Sequence, residues 1–500
     1  MHSLPARLGR SGWRIFGLLS CGPLILFAAL SLNQPTQSAE QTATTGSAAT
    51  VTEAPLQPDD VSWLFPAPKK PGDLANLIAI GELTAPNAAD PTKRDPIWPA
   101  AAFSQFIANA NGRAARIAGT SHRLILPREA NDIAVWRIAG LRIDPGAPGL
   151  APDVIAQYGQ QPQVRLILQP VMQLPGGKIK VDDVTAHLIF SFIAGFDDPA
   201  QPGCSPRAKP DMEAFRKVAA DFAALRDQLQ NGDFGGVKVK TDGALLGVHP
   251  GLANPAAAGP LRDALVSVLE RHLSGARLTA MAVMGLAQNG PEPWIFLAMA
   301  PVGPGVVPDL PDGGFVPVRG PTLDGVQFAQ ALSVLDKPHQ VIPTPATDNL
   351  NPVTCKNAAL ALGPAALPLA ERKGLATAKL FDIGDHPRVT PDLAARINQT
   401  VELISDPTRS HFFNTDCISC HTNTRRALDL LKHANIPGVD PAVLPKEKWN
   451  VRNFGWFPSF LRRGAIEATA TGRTAAETAA VVEFIDKNEL LKPAPAGAPQ

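Results

Sequence analysis

Three residues near the C-terminus have the types and spacing needed to hold a cofactor covalently. Cys417 and Cys420 are separated by two residues, and His421 follows directly, in a chain of 500 residues with five cysteines. Two thiols at this spacing can add to the two vinyl groups on one edge of a porphyrin, and the adjacent imidazole can ligate the iron. The pattern C-x-x-C-H therefore predicts one covalently bound haem c, with His421 as an axial ligand.

Two other chemistries also use paired cysteines. A structural zinc site needs two more ligands, but the next histidine is the distant His433 and no cysteine follows Cys420. A thioredoxin-type thiol pair should follow a strand in a β-α-β unit, whereas residues 406–411 are typical of a loop. Haem attachment is the interpretation that these comparisons favour.

The motif leaves the second axial ligand of the iron open. A downstream methionine is a common choice, but no methionine follows Met299. The candidates are His411, His433, a residue of the N-terminal part of the chain, or no protein ligand at all. Two histidines would suit electron transfer, whereas an open position would admit peroxide or another small ligand.

An aromatic and polar cluster follows at residues 449–458, with the sequence WNVRNFGWFP, in a chain that is only 6% aromatic. One interpretation is a wall of the haem pocket, with Arg452 near a propionate and Trp456 against the ring. The alternative is a small hydrophobic core patch with a solvent-exposed Arg452.

The elements around the motif are predicted to be helices. Thr390 and Pro391 are a favourable N-cap and first-turn pair for a helix that ends at Asp406. Thr474 and Glu477 have the spacing of a capping box, which predicts the start of the last helix.

A helix, then C-x-x-C-H, then a loop-rich middle and a final amphipathic helix resemble the cytochrome c domain. The resemblance covers roughly residues 390–490, and its specific part is Cys417, Cys420 and His421. It implies a mostly α haem domain, assigned to residues 351–490, in which the iron cycles between Fe(II) and Fe(III). No family is recognised for residues 60–350.

Residues 61–300 are predicted to form an α+β domain. A stripe of apolar residues over 215–229 predicts a helix that begins after Asp211 and ends at Gly232, and Pro260 begins a second helix. Short runs of branched and aromatic residues predict five strands, at 134–143, 164–171, 186–193, 278–286 and 294–300. The fold class is therefore multidomain, with an α+β domain before a cytochrome c-like domain.

The chain ends and the connections are predicted from composition. Basic residues followed by an apolar run predict that residues 1–39 are a signal peptide or an uncleaved N-terminal anchor. The low-complexity residues 40–60 and the C-terminal 491–500 are expected to be disordered, and the Pro- and Gly-rich residues 301–350 to be a linker. A periplasmic or otherwise exported location follows, where Cys204 and Cys355 could form a disulfide.

A net charge of +1 with 18% charged residues argues against a nucleic-acid partner, and contact with a membrane is expected only through the N-terminal segment. The leading hypothesis is an exported c-type cytochrome that exchanges electrons with a redox partner protein. The alternatives are a peroxidase-like enzyme with an open iron site, and a haem-containing sensor or binding module.

Overall fold

The structure is a computed structural model, and it describes residues 56–317 and 390–491 with short gaps. The gaps lie at residues 112–113, 118–119, 125, 147–149, 199–206, 242, 244, 287–293, 302–313, 411–416, 432–434, 448–449, 451, 460–464 and 489. The predicted mixture of α and β structure with an N-terminal sheet is confirmed.

The described helices and strands are numbered in chain order. The helices are α1 (Pro58–Val61), α2 (Ala100–Asn111), α3 (Pro152–Tyr158), α4 (Met212–Asn231), α5 (Pro250–Ala253), α6 (Ala258–His272), α7 (Pro391–Ser405), α8 (Cys417–Leu431) and α9 (Gly472–Lys487). The strands are β1 (Ser62–Leu64), β2 (Thr84–Pro86), β3 (Arg94–Pro96), β4 (Ala114–Ile117), β5 (Thr120–Arg123), β6 (Trp136–Asp144), β7 (Gln163–Leu174), β8 (Lys178–Val181), β9 (Val184–Ser191), β10 (Ile193–Asp197), β11 (Arg207–Pro210), β12 (Leu278–Leu286), β13 (Trp294–Pro301), β14 (Phe315–Pro317), β15 (Phe454–Pro458) and β16 (Ile466–Ala470). In the part of the chain that the structure describes, no helix combines the length and apolar character needed to cross a bilayer.

One antiparallel sheet organises the N-terminal part. Its strand order is β1-β6-β7-β9-β12-β13-β14, and β8 pairs with the end of β7. The five strands predicted from sequence are β6, β7, β9, β12 and β13, and all five lie in this sheet. Strand β14 extends the sheet within residues 301–350, the stretch predicted to be a linker. Likewise α1 begins at Pro58, within the residues 40–60 that were expected to be disordered.

One face of the sheet is apolar and packs against helices. The register pairs Leu141 with Leu166 and Leu166 with Leu188, so leucines of three neighbouring strands share this face. Trp63 pairs with Leu141 on the same face, and its ring meets that of Phe222 of α4 edge to face at 5.6 Å. This contact places α4 over the apolar face.

The predicted helices of this layer are confirmed. The side chain of Asp211 accepts a hydrogen bond from the backbone N–H of Ala214 at 3.0 Å, and Gly232 ends α4 with φ +93°, a backbone conformation that favours glycine. The second helix, α6, begins at Ala258, two residues before the predicted Pro260. Its buried residues include the expected Leu261, Leu265, Val268 and Leu269.

The opposite face of the sheet is polar. Successive side chains of a strand point to opposite faces of a sheet. This face therefore carries the residues that directly precede and follow the leucines of the apolar face. We call it the polar face, and its members on β6, β7 and β9 include Arg142, Asp144, Gln163, Arg165, Gln169, Thr185 and His187. A sheet interior this polar needs partners for its charges, and the C-terminal elements supply several of them.

Several described contacts connect the polar face and its edges to the C-terminal part. Two connect it to α9: the hydroxyls of Ser62 and Thr478 lie 2.7 Å apart, and Arg142 pairs with Glu477. The others, described below, join Gln169 and the carbonyl of Phe65 to Trp456, and Asp183 to Arg452. Val481 and Ile485 of α9 belong to the same buried core as the sheet. The domain boundaries remain predictions, but the two parts share a core.

The C-terminal part differs from the prediction at two points. Residues 454–458 and 466–470 form the antiparallel pair β15–β16 in a region expected to be loop-rich and helical. The predicted capping box is wrong, because α9 begins at Gly472 and no side chain caps it. Instead Thr474 donates its hydroxyl proton to the carbonyl of Asn453 at 2.9 Å, and Glu477 pairs with arginines, so tertiary partners occupy both side chains.

Candidate functional site

The C-x-x-C-H motif lies in the first turn of α8. Cys417 is the first residue of this helix, and Cys420 and His421 follow one turn later, both half-buried. A turn at residues 407–409 follows α7. The side-chain amide nitrogen Nδ2 of Asn453 lies 3.8 Å from Sγ of Cys420, so the segment just before β15 borders the motif.

Helix α8 is attached to α9 beyond the motif. The backbone N–H of Gly472 donates to the hydroxyl of Thr424 at 3.1 Å, and a Cβ at Gly472 would lie 2.9 Å from the side chain of Ile436. Glycine is therefore needed where the two chain segments approach. On the other side of α9, the guanidinium of Arg473 donates to the carbonyls of Ile404 and Ser410 at 3.1 and 2.6 Å, at the end of α7. Three helices thus converge around the motif.

Arg473 also belongs to a buried charge cluster. Glu477 accepts hydrogen bonds from Arg473, at 2.7 Å, and from Arg142 of the polar face, and Arg142 also pairs with Asp144 at 3.2 Å. Burial would raise the pKa of Glu477, but the charges of Arg142 and Arg473 outweigh it and hold this pKa well below its usual range. The Glu477 carboxylate is therefore charged at neutral pH and joins α9 to β6.

Arg452 is fully buried and pairs with Asp183, which precedes β9. Its guanidinium donates from both Nε, at 3.0 Å, and Nη2 to the Asp183 carboxylate. The alternative of a solvent-exposed Arg452 is wrong. Burial raises the pKa of Asp183, and the charge of Arg452 acts against that rise. The interaction of Arg452 with a haem propionate remains a prediction.

Trp456 is fully buried against the sheet. Its backbone exchanges two hydrogen bonds with the side-chain amide of Gln169, at 2.7 and 2.9 Å, and its indole N–H donates to the carbonyl of Phe65 at 2.9 Å. A Cβ at Gly455 would lie 3.0 Å from Gln169, and its φ of +129° also favours glycine. Strand β15 is therefore held directly on the polar face.

His187 lies on the polar face beside a cationic group of residues. Its register neighbours are Ile167 on β7 and Ala282 on β12, and its side chain is half-buried. Burial, followed by the charges of Arg165, Arg452, His421 and Arg142, holds the pKa of His187 well below its usual range. His187 is therefore a neutral imidazole at neutral pH.

Two buried polar atoms next to His187 have no hydrogen-bond partner in the described part of the chain. They are Nε of Arg165 and Oγ1 of Thr185. Burial and the nearby Arg142 lower the pKa of Arg165, and the charges of Glu477 and Asp144 act against that fall. Guanidinium groups in such positions bind carboxylates and phosphates.

The described residues fit a haem by the chemistry of their donors. Thiol and imidazole at the start of α8 match the attachment edge and one axial position. The neutral imidazole of His187 is a metal-ligand type, and Arg165 with its unpartnered Nε suits a propionate.

Other residues of the predicted site are not placed by the structure. His411 and His433 lie outside the described residues, as do Cys204 and Cys355, so both the axial ligand and the disulfide predictions remain untested. No protein-family model, no curated protein and no solved structure matches this chain.

Neither His187 nor Arg165 was predicted from the sequence as a site residue. A signal for both existed. In β7, Gln163, Arg165 and Gln169 occupy alternate positions between apolar residues, a pattern that usually marks a solvent-facing side. Here that side is covered by the C-terminal part, which is what makes its polar residues candidates for function.

Proposed function

We propose that this chain is an exported c-type cytochrome that transfers electrons through one covalently bound haem. The C-x-x-C-H motif of Cys417, Cys420 and His421 carries the proposal. Residues 351–490 would form the cytochrome c-like domain, and a periplasmic location would supply the haem attachment machinery and a redox partner protein. The haem would supply one-electron exchange between Fe(II) and Fe(III).

The residues of this chain would hold and insulate that haem. Cys417 and Cys420 would bind it covalently, and His421 would ligate the iron. Asn453, 3.8 Å from Sγ of Cys420, would border the attachment edge. The buried Trp456 and the charge pairs of α9 keep water away from the polar face of the sheet, and burial of this kind tunes the potential of a haem.

The polar face supports the proposal independently of the motif. The guanidinium of Arg165, whose Nε has no hydrogen-bond partner in the described part of the chain, lies on this face. A haem brings two propionate carboxylates, which such a group binds through charge-assisted hydrogen bonds. The N-terminal part would thus complete the haem pocket as well as present a docking surface.

Attachment of haem is tested on the denatured full-length chain expressed with a haem c assembly system in a bacterial periplasm. We expect a pyridine haemochrome spectrum of the c type, at one haem per chain. The double variant Cys417→Ala/Cys420→Ala should lose it, whereas the control Cys204→Ser/Cys355→Ser should retain it. A wild-type chain without the haemochrome, or one that loses the haem in acid acetone, contradicts the proposal.

A further inference from the structure

His187 lies on the polar face of the sheet, two strands from the strand that Phe454 covers. The segment before β15 borders the motif, because Asn453 approaches Cys420. The next residue, Phe454, lies over Gly140 of β6, with its ring 2.7 Å from where a Cβ of that glycine would be. Gly140 pairs with Ile167, and Ile167 pairs with His187. Neighbouring strands are about 4.8 Å apart, so His187 lies about 10 Å from the strand beneath Phe454.

A second connection leads to the same position. Arg452, the residue before Asn453, is bound to Asp183, four residues before His187 on the same stretch of chain. The segment 452–454 therefore crosses the polar face from β9 toward β6, and its middle residue, Asn453, contacts Cys420 of the motif. His187 and His421 are the histidines that the described structure brings to this region.

Two other described histidines, His249 and His272, have partners elsewhere. His249 is stacked on Trp63 with ring centroids 3.9 Å apart, on the apolar face. His272 of α6 lies 2.7 Å from the carboxylate of Asp221. His187 has neither a ring partner nor a carboxylate partner among the described residues, although Arg165 and Thr185 beside it also lack partners at Nε and Oγ1.

We infer that His187 supplies the second axial ligand of the haem attached at Cys417–His421, from the polar face of the N-terminal sheet. This inference rests on the proposed function. A nitrogen of the neutral imidazole donates its lone pair to the iron opposite His421, which gives a six-coordinate, low-spin centre. Arg165, on the adjacent strand, pairs with a propionate of the same haem. The N-terminal part is thereby a component of the redox centre, and the iron is closed to small ligands.

The test is electron paramagnetic resonance and optical spectroscopy of the full-length, haem-loaded chain. Wild type should be low-spin in the ferric form and should not bind carbon monoxide in the ferrous form. His187→Ala should convert to high-spin iron that binds carbon monoxide, while its far-UV circular dichroism spectrum stays that of wild type, which a misfolded variant would not show. His187→Met should keep six coordination with a higher reduction potential, since thioether ligation favours Fe(II). His272→Ala is the matched control and should resemble wild type.

The outcomes separate the inference from the function on which it rests. Absence of a pyridine haemochrome in wild type contradicts the proposed function. Covalent haem that is high-spin in wild type, or that stays low-spin in His187→Ala, overturns the ligand assignment and leaves the function standing. Conversion to high-spin iron in His411→Ala or His433→Ala, with His187→Ala unchanged, assigns the ligand to that histidine instead.

Discussion

Replacing Arg452 by methionine should weaken the attachment of the C-terminal part to the sheet. The substitution removes the cation of a buried ion pair and keeps an unbranched side chain of similar length in its place. Asp183 is then left as a buried carboxylate, and its Oδ2 already lacks a hydrogen-bond partner in the described part of the chain. Breaking a buried pair in this way costs about 3–5 kcal/mol of the free energy of unfolding.

The pH dependence of this loss gives a sharper estimate. Without Arg452, Asp183 can escape burial of its charge by taking up a proton. Protonation of a carboxyl whose unfolded pKa is about 3.9 costs about 1.4 kcal/mol for each pH unit above this value. The cost is therefore about 4 kcal/mol at pH 7 and about 1.5 kcal/mol at pH 5. Because the folded pKa is raised, the folded state holds a proton that the unfolded state releases, so the stability of Arg452→Met should fall as pH rises through this window.

The assay is urea unfolding at pH 5 and pH 7, followed by far-UV circular dichroism and tryptophan fluorescence. Adding Asp183→Asn to Arg452→Met should recover most of the loss at pH 7 and remove the extra pH dependence. The control is Lys209→Met, which disrupts an ion pair with Asp197 whose side chains are both about half exposed, and the urea midpoint should not change. A loss below about 1 kcal/mol at pH 7, or an equal loss at both pH values, refutes the argument.

Two further predictions concern the polar face. Glu477→Gln should make the free energy of unfolding less dependent on pH in the acid range. The lowered folded pKa of Glu477 contributes stability above its unfolded pKa of about 4.3, and wild type loses this stability as pH falls below that value. An unchanged acid midpoint of unfolding would count against the charge cluster. Gly140→Ala should lower the melting temperature, at a cost of about 1–3 kcal/mol, because the new Cβ would lie 2.7 Å from the ring of Phe454. Gly72→Ala, where nothing lies within 4 Å, is its control, and equal melting temperatures for the two variants would contradict the close packing of β15.

Local patterns in the sequence were enough to predict the main elements of the N-terminal part. The stripe from Phe215 to Leu229 defines α4 because period-3.6 burial and its caps act within a few residues. The five strands follow from branched and aromatic runs for the same reason. The capping box was wrong because Thr474 and Glu477 have tertiary partners, and a local motif cannot register competition from distant residues.

The same distinction between local patterns and long-range contacts applies to the site. The residues that attach a haem are neighbours in sequence, so their spacing alone carries the prediction of Cys417, Cys420 and His421. Arg452 and Asp183 are 269 positions apart, and their pairing depends on β15 lying across the polar face. The same holds for His187, which in the sequence is a lone histidine in a strand. Only the sheet register and the C-terminal cover bring it toward the motif, because long-range contacts are determined by packing of the whole chain and not by the residues on either side.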